Sequence, residues 1–322
     1  SLLCCRTDAE IILVDDGSAD RTGEIADDYQ KRFPDIVKVV HKENGGHGSG
    51  VNKGLEMAEG LYFKVVDSDD WLDREACQKL LFRIREFCGG GRYEFEENIP
   101  DLFICNYVYD HLDEGISRVM DYRNIFPDEQ MCTWNSVGRF RPSQYLIMHS
   151  MIFRTAVLRR SGVKLPEHTF YVDNLFAFEP LPFVKNMYYL DVNFYRCFIG
   201  REDQSVNEAV MIKRIDQQIR VNKLMVDAYE KYDLRQKELN KYMISYLDII
   251  TTVSSMMLIR SGTDEAMKKK KELWDYIRNT DRRLYRKLRY GLLGRAVNLP
   301  GRGGRKMSVA AYKICQKFYG FN

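Results

Sequence analysis

Two early segments, AEIILVDDGS (9–18) and GLYFKVVDSDD (60–70), are continuous apolar runs rich in β-branched and aromatic residues. A strand wetted on one face would alternate apolar with polar positions, so these runs predict central strands of a parallel sheet. Between them, RTGEIADDYQKRF spaces Ile25, Tyr29 and Phe33 as a helix does, VKVVHK is a short strand, and GSGVNKGLEMAEG is a short helix closed by Gly60. Strand and helix alternate, and the first third therefore predicts an α/β fold. After Trp71, Asp73 is placed to cap the helix REACQKLLFRIREF, which Gly89, Gly90 and Gly91 stop.

Downstream, DLFICNYVYDH predicts a strand, and the polar stretch 112–142 predicts a long excursion of the kind that binds ligands. MIFRTAVLRRSG reads as a strand entering a short helix, MYYLDVNFYRCF as a strand, and IGREDQSVN as a loop. From about Glu208 apolar residues recur every three or four positions, through VMIKRIDQQIRVNKLMVDAYEKY and LNKYMISYLDIITTVSSMMLI. The boundary is expected near Asn207, between an α/β domain (1–207) and a helical, basic region (208–322).

Composition adds one asymmetry. The chain has 322 residues, 45% hydrophobic and 30% charged, as a globular protein does. Its net charge of +3 conceals a basic end: residues 260–322 hold 17 Lys and Arg against five Asp and Glu, so the remainder is net acidic. The most apolar stretch, YLDIITTVSSMMLI, falls short of the roughly 20 residues of a membrane helix and contains Asp248, so no span is expected. SLLCCRTDAE has no basic region followed by an apolar one, and no signal peptide is expected from it. Eight cysteines without a CxxC pair or zinc-like His spacing predict free, buried thiols in a reducing compartment.

Both apolar runs end abruptly in carboxylates, Asp15-Asp16 and Asp67-Ser68-Asp69-Asp70. In open parallel sheets ligands bind at the carboxyl ends of strands, so the two clusters are expected to face one crevice. Asp-Asp-Gly-Ser alone serves equally as a strand-to-helix turn. Three carboxylates within four residues are harder to hold without a cation, and such oxygen-rich sites suit Mn²⁺ or Mg²⁺.

VDDGSADRT, ENGGHGSGVNKGLEMAEG and LYFKVVDSDDWLD, in that order, resemble the nucleotide-sugar half of the family 2 glycosyltransferases, inverting enzymes of the GT-A fold. The resemblance covers about the first 205 residues. It implies that Asp15, Asp16, Ser18, Asn44 and Asp67 bind the nucleotide and that Asp69 holds the metal bridging the diphosphate. It also implies that Asp173 in FYVDN is the catalytic base, although Val172 stands where the family has Glu. The loop YRCFIGREDQSVN resembles the one that closes over the diphosphate, which makes Arg196, Arg201, Gln204 and Ser205 candidates there. Trp134 and Arg139 are candidates for an acceptor sugar; His47 is a weaker candidate, and His149 reads as structural. Nothing before Ser1 matches the family's first strand, so the resemblance implies a chain that starts part-way into its first helix.

The expected activity is metal-dependent transfer of a sugar, most plausibly from a UDP-sugar, to a saccharide or lipid-linked saccharide in polysaccharide synthesis. The basic C-terminal helices predict contact with an anionic membrane, hence a cytoplasmic protein peripheral to the inner face of the cell membrane. No nucleic-acid partner is expected. The rival readings are a nucleotidyltransferase and a non-catalytic nucleotide- or glycan-binding scaffold.

Overall fold

A computed structural model describes residues 2–5, 8–89, 99–111, 115–141, 144–200 and 207–319. The chain forms two compact units, one of residues 1–139 with 146–200 and one of 140–145 with 201–322.

The first unit is α/β. Strand β1 (Ile11–Asp15) leads through the VDDGS turn into α1 (Thr22–Arg32), then β2 (Val37–His41), which pairs with β1 in parallel. Helix α2 (His47–Met57) and the two-residue strands β3 (Tyr62–Phe63) and β4 (Trp71–Leu72) follow. Helix α3 (Arg74–Gly89) is capped as expected, the Ala76 amide donating to Asp73 Oδ1 at 3.0 Å. The remaining strands are β5 (Leu102–His111), β6 (Ile116–Met120), β7 (Met131–Cys132), β8 (Met151–Arg154) and β9 (Met187–Phe198). Helix α4 (Thr155–Ser161) continues from β8, and α5 (Asp173–Phe178) lies between α4 and β9.

The main sheet runs β3-β8-β5-β9-β4, with β6 beside β5 and β7 beside β9. It is mixed, not mostly parallel: β5 and β9 are parallel, whereas β3–β8, β5–β8, β4–β9, β5–β6 and β7–β9 are antiparallel. Its centre is the expected buried strand. Leu102, Phe103, Ile104 and Cys105 are each fully buried, and burying a side chain of Leu, Ile or Phe size stabilises by about 1.5–3 kcal/mol.

Several expectations change. The run 60–70 contributes only Tyr62 and Phe63 to a ladder, antiparallel to β8, and β1 lies in a separate two-stranded sheet. Between β1 and the 62–68 run opens a cavity of about 450 Å³ walled by Ile12, Val14, Val51 and Phe63. These apolar runs are thus only half-buried. Ile25 and Tyr29, spaced for a buried helix face, are 54% and 38% exposed, and Ala26 is the buried residue of α1. The excursion after β5 is tied to the sheet through β6 and β7. Cys77 is disulfide-bonded, while Cys88, Cys105, Cys132 and Cys197 are free thiols; pairing follows proximity in space, which sequence spacing does not reveal.

The second unit is helical: α6 (Glu208–Lys213), α7 (Ile215–Glu230), α8 (Lys237–Ser261), α9 (Asp264–Thr280), α10 (Arg282–Tyr290), α11 (Leu292–Val297) and α12 (Gly301–Tyr319). Contrary to the sequence reading, α8 is long and apolar enough to cross a membrane, and 72% of its most apolar stretch is buried inside the protein. Leu247, Met257 and Leu258 on α8, Val221 and Met225 on α7, and Leu273 and Ile277 on α9 are almost fully buried.

Candidate active site

The VDDGS turn is organised by its two carboxylates. Asp15 Oδ1 accepts from the Ser18 amide at 3.0 Å and Asp15 Oδ2 meets His41 Nδ1 at 2.9 Å. Hydrogen bonds from Ser18 and His41 pull the Asp15 pKa down to about 2. Asp16 is bound from four sides: Lys42 Nζ at 2.6 Å and the Gly45 amide at 2.9 Å reach Oδ1, while the Gly46 amide at 2.6 Å and Asn44 Nδ2 at 3.2 Å reach Oδ2. Burial works against ionisation of Asp16, yet these donors and the Lys42 charge hold its pKa below the usual carboxylate range. Gly17 adopts a φ of +75°, and a Cβ there would stand 2.9 Å from the Asn44 amide nitrogen, so the two turns meet backbone to backbone.

Asp16 thereby fixes the ENGGHG turn, and with it the start of α2, where His47 sits. His47 Nε2 lies 2.8 Å from Asp67 Oδ1, joining the end of the first turn to the DSDD turn. Burial alone would lower the His47 pKa, but the Asp67 hydrogen bond and charge, with Asp173 and Asp16 nearby, raise it. The reciprocal effect wins at Asp67, whose pKa is lowered despite its burial.

The DSDD turn is closed by the Asp70 amide donating to the Asp67 carbonyl at 3.1 Å. Burial, reinforced by the charges of Asp67 and Asp69, pushes the Asp70 pKa up to about 6 even though Tyr195 and the Phe198 amide bond its carboxylate. Asp69, by contrast, is exposed to solvent at the tip. The set is all hard oxygen, with one exposed carboxylate, and its chemistry fits a divalent cation such as Mn²⁺ or Mg²⁺.

Asp173 opens α5, and the cap position belongs to Val172, which makes no side-chain cap bond. The preceding Tyr171 has a φ of +66°, a strained value for a bulky side chain, which turns the chain from the His168–Phe170 segment into the helix. That segment packs on the glycine turn: the His168 amide donates to the Gly45 carbonyl at 2.6 Å. Asp173 is brought to the His47–Asp67 pair, and burial first, then the Asp67 charge, raises its pKa against the opposing effect of His47.

The structure therefore gathers Asp16, Asn44, His47, Asp67 and Asp173 around one rim, with Asp15 and Ser18 in the adjoining turn. Other candidates fare differently. Trp134 is fully buried with its indole N–H donating to the Val184 carbonyl at 3.2 Å, so its ring is a core element and not a stacking surface for a sugar. Arg196 forms a two-pronged pair with Asp110, both bonds at 2.8 Å, and is committed to the sheet. Arg139 is exposed. Arg201, Gln204 and Ser205 lie outside the described residues. Sequence reasoning underrated His47; its signal was a histidine at a helix N-terminus within a glycine turn. It missed Lys64, buried three residues before Asp67, because a lone Lys in an apolar run reads as a surface snorkel.

Residues 4–141 match the Glycosyl transferase family 2 profile. This segment belongs to glycosyl transferase family 2. The uncharacterized glycosyltransferase EpsJ of Bacillus subtilis is 49% identical over 101 residues, 31% of this chain and 26% of the relative. The poly(ribitol-phosphate) beta-glucosyltransferase of Bacillus spizizenii is 39% identical over 164 residues, 51% of this chain and 23% of the relative. The matches span about a third or less of the length of these curated relatives. The fold of the Staphylococcus aureus TarS 1-349 crystal structure in complex with UDP-GlcNAc superposes with a TM-score of 0.69 at 19% identity, covering 98% of this chain and 83% of that one. The family 2 domain holds both acidic turns, while Asp173 lies beyond the matched residues.

Proposed function

We propose that the protein is a metal-dependent, inverting glycosyltransferase that moves a sugar from a nucleotide-sugar, most simply a UDP-sugar, to a saccharide hydroxyl in polysaccharide or glycoconjugate synthesis. The observation that carries this is the convergence of Asp67, His47 and Asp173 in one place, with Asp69 exposed in the same turn as Asp67. The TarS neighbour, of the same fold, was solved with UDP-GlcNAc.

In this reading the DSDD turn would receive the donor diphosphate, with Asp69 the residue that would hold Mn²⁺ or Mg²⁺ and Asp67 kept ionised by His47. When bound, such a cation acts as a Lewis acid on the developing charge of the leaving nucleoside diphosphate. Asp15, Ser18, Asp16 and Asn44 shape the turn that receives the nucleoside. Asp173 accepts the proton of the acceptor hydroxyl as its oxygen attacks the anomeric carbon; the bond to the diphosphate oxygen breaks and the configuration inverts. Its raised pKa suits a base that must hold that proton. His47, between donor turn and base and with its pKa raised, against burial, by the Asp67 hydrogen bond and charge, adds positive charge near the departing diphosphate when it is protonated.

A cytoplasmic position against the inner face of the cell membrane fits the second unit. Between Arg282 and Lys313 there are ten Lys and Arg and no Asp or Glu, and Tyr290, Leu292 and Met307 are 58%, 83% and 65% exposed among them. Basic charge interleaved with exposed apolar side chains suits an anionic bilayer and a lipid-linked acceptor. Hydrolysis of a panel of UDP- and GDP-sugars with and without Mn²⁺ tests the activity: turnover of a donor only with metal supports it, and no turnover of any donor refutes it. Co-sedimentation with phosphatidylserine vesicles tests the surface, binding to neutral vesicles alone arguing against it.

A further inference from the structure

The DSDD turn rests on one phenol. Tyr195 is fully buried on β9, where it is paired with Tyr107 on β5 and Leu72 on β4. Its hydroxyl accepts from the Asp67 amide at 3.0 Å and donates to Asp70 Oδ2 at 2.8 Å, so a single oxygen grips both ends of the turn. The Phe198 amide, three residues along β9, takes Asp70 Oδ1 at 3.0 Å. Just before Tyr195 the β5–β9 register shifts around Asn106, whose side chain bonds Asp191 and Tyr189 at 2.7 Å each. Such an irregularity re-aims the side chains that follow it.

The ring is itself wedged. His149 stacks on it with centroids 4.6 Å apart and planes 21° from parallel. Lys64 Nζ stands 4.6 Å from the ring centre while donating to the Met148 and His149 carbonyls at 2.9 and 2.7 Å. Asp70, His149 and Cys197 bring ligand atoms within 4.8 Å of one another, and His149 Nδ1 is buried without a partner. Burial pulls the Lys64 pKa down to about 7, and its bonds to the Met148 and His149 carbonyls hold the loop that carries His149 against the ring. Through the bond from the Tyr195 hydroxyl to Asp70 the cluster supports the turn.

We propose that Tyr195 is the positioning residue of the metal and diphosphate turn: by fixing the Asp67 amide and the Asp70 carboxylate to β9, its hydroxyl sets where the Asp69 carboxylate stands. This rests on the metal-dependent reading above. Small divalent ions tolerate little error in ligand placement, and removing a direct hydrogen-bond partner of a metal ligand typically weakens metal binding about 10–100-fold; Tyr195 acts through the residues on either side of Asp69, Asp67 and Asp70. Tyr195→Phe keeps the ring against His149 and Lys64 and removes only the hydroxyl.

The test is UDP binding by titration calorimetry across a Mn²⁺ series, with melting temperature measured in parallel. Tyr195→Phe is expected to raise the Mn²⁺ concentration for half-maximal UDP binding about 10-fold or more, with binding recovered at saturating metal. Asp70→Asn attacks the same grip from its other end and is expected to do likewise, and the double variant to be no worse than the worse single one. A lowered melting temperature with an unchanged Mn²⁺ requirement makes Tyr195 a packing residue and overturns the proposal. If Tyr195→Phe does not fold, an unchanged requirement in Asp70→Asn overturns it equally. A wild-type protein whose UDP binding ignores Mn²⁺ overturns the metal reading itself; a responsive wild type with unresponsive variants overturns only the role of Tyr195.

Discussion

The two acidic turns look alike in sequence and are built for opposite purposes. In VDDGS the protein consumes its own carboxylates: Asp15 takes Ser18 and His41, and Asp16 takes Lys42, Asn44, Gly45 and Gly46. In DSDD it ties down Asp67 and Asp70, through His47, Tyr195 and Phe198, and presents Asp69 at the surface. A carboxylate surrounded by protein donors braces a turn, and in the proposed function the exposed Asp69, set between two anchored neighbours, is the one that meets the cation. On the proposed function the same residue type serves as architecture in one turn and as chemistry in the other.

The largest effect is expected where chemistry is concentrated. On the proposed mechanism Asp173→Asn preserves shape and removes the base, so the transfer rate should fall about 10²–10⁴-fold, with donor binding and melting temperature near those of the wild type. A variant that instead loses donor binding would move Asp173 from the base to the donor pocket.

Next comes the brace. Asp16→Ala strands the Lys42 ammonium and the Gly45 and Gly46 amides, and should cost about 2–3 kcal/mol of stability, read as a lowered midpoint of urea unfolding. If Asp16→Ala were to unfold at the wild-type midpoint while abolishing UDP binding, the contrast between the turns would be reversed.

A third carboxylate sharpens the comparison because it has neither use. Asp248, on α8, has a buried Oδ1 without a partner, and burial pushes its pKa up to about 6. Its folded-state pKa lies above the unfolded value, so the native state binds the extra proton and stability falls as pH rises from about 4 to 6. Asp248→Asn should raise the melting temperature by a few degrees at pH 7 and leave it unchanged at pH 4. An equal effect at both pH values would assign the cost to packing and not to charge.

Much of this was legible in the chain. The buried strand DLFICNYVYDH, the Asp73 cap and the helical second unit follow from periodicity and capping chemistry, and the ordered acidic and glycine motifs carried the resemblance to family 2 that residues 4–141 bear out. What was not legible depends on contacts between distant residues. The apolar run before Asp67 reads as a central strand, yet only two of its residues find a ladder partner, and hydropathy does not report which neighbours are present. Trp134 in a polar excursion reads as exposed, but β7 carries it into the core. Tyr195 is one aromatic among several in MYYLDVNFYRCF, and only the register of β9 selects it as the residue beneath Asp67 and Asp70.

The most direct test compares the two turns in one assay. UDP binding to Asp69→Ala is measured by calorimetry with and without Mn²⁺, alongside the wild type. The expected result is that Mn²⁺ strengthens binding to the wild type and does nothing for Asp69→Ala, while the melting temperatures of the two proteins coincide. Undiminished Mn²⁺ enhancement in Asp69→Ala would contradict the assignment of the DSDD turn as the metal site.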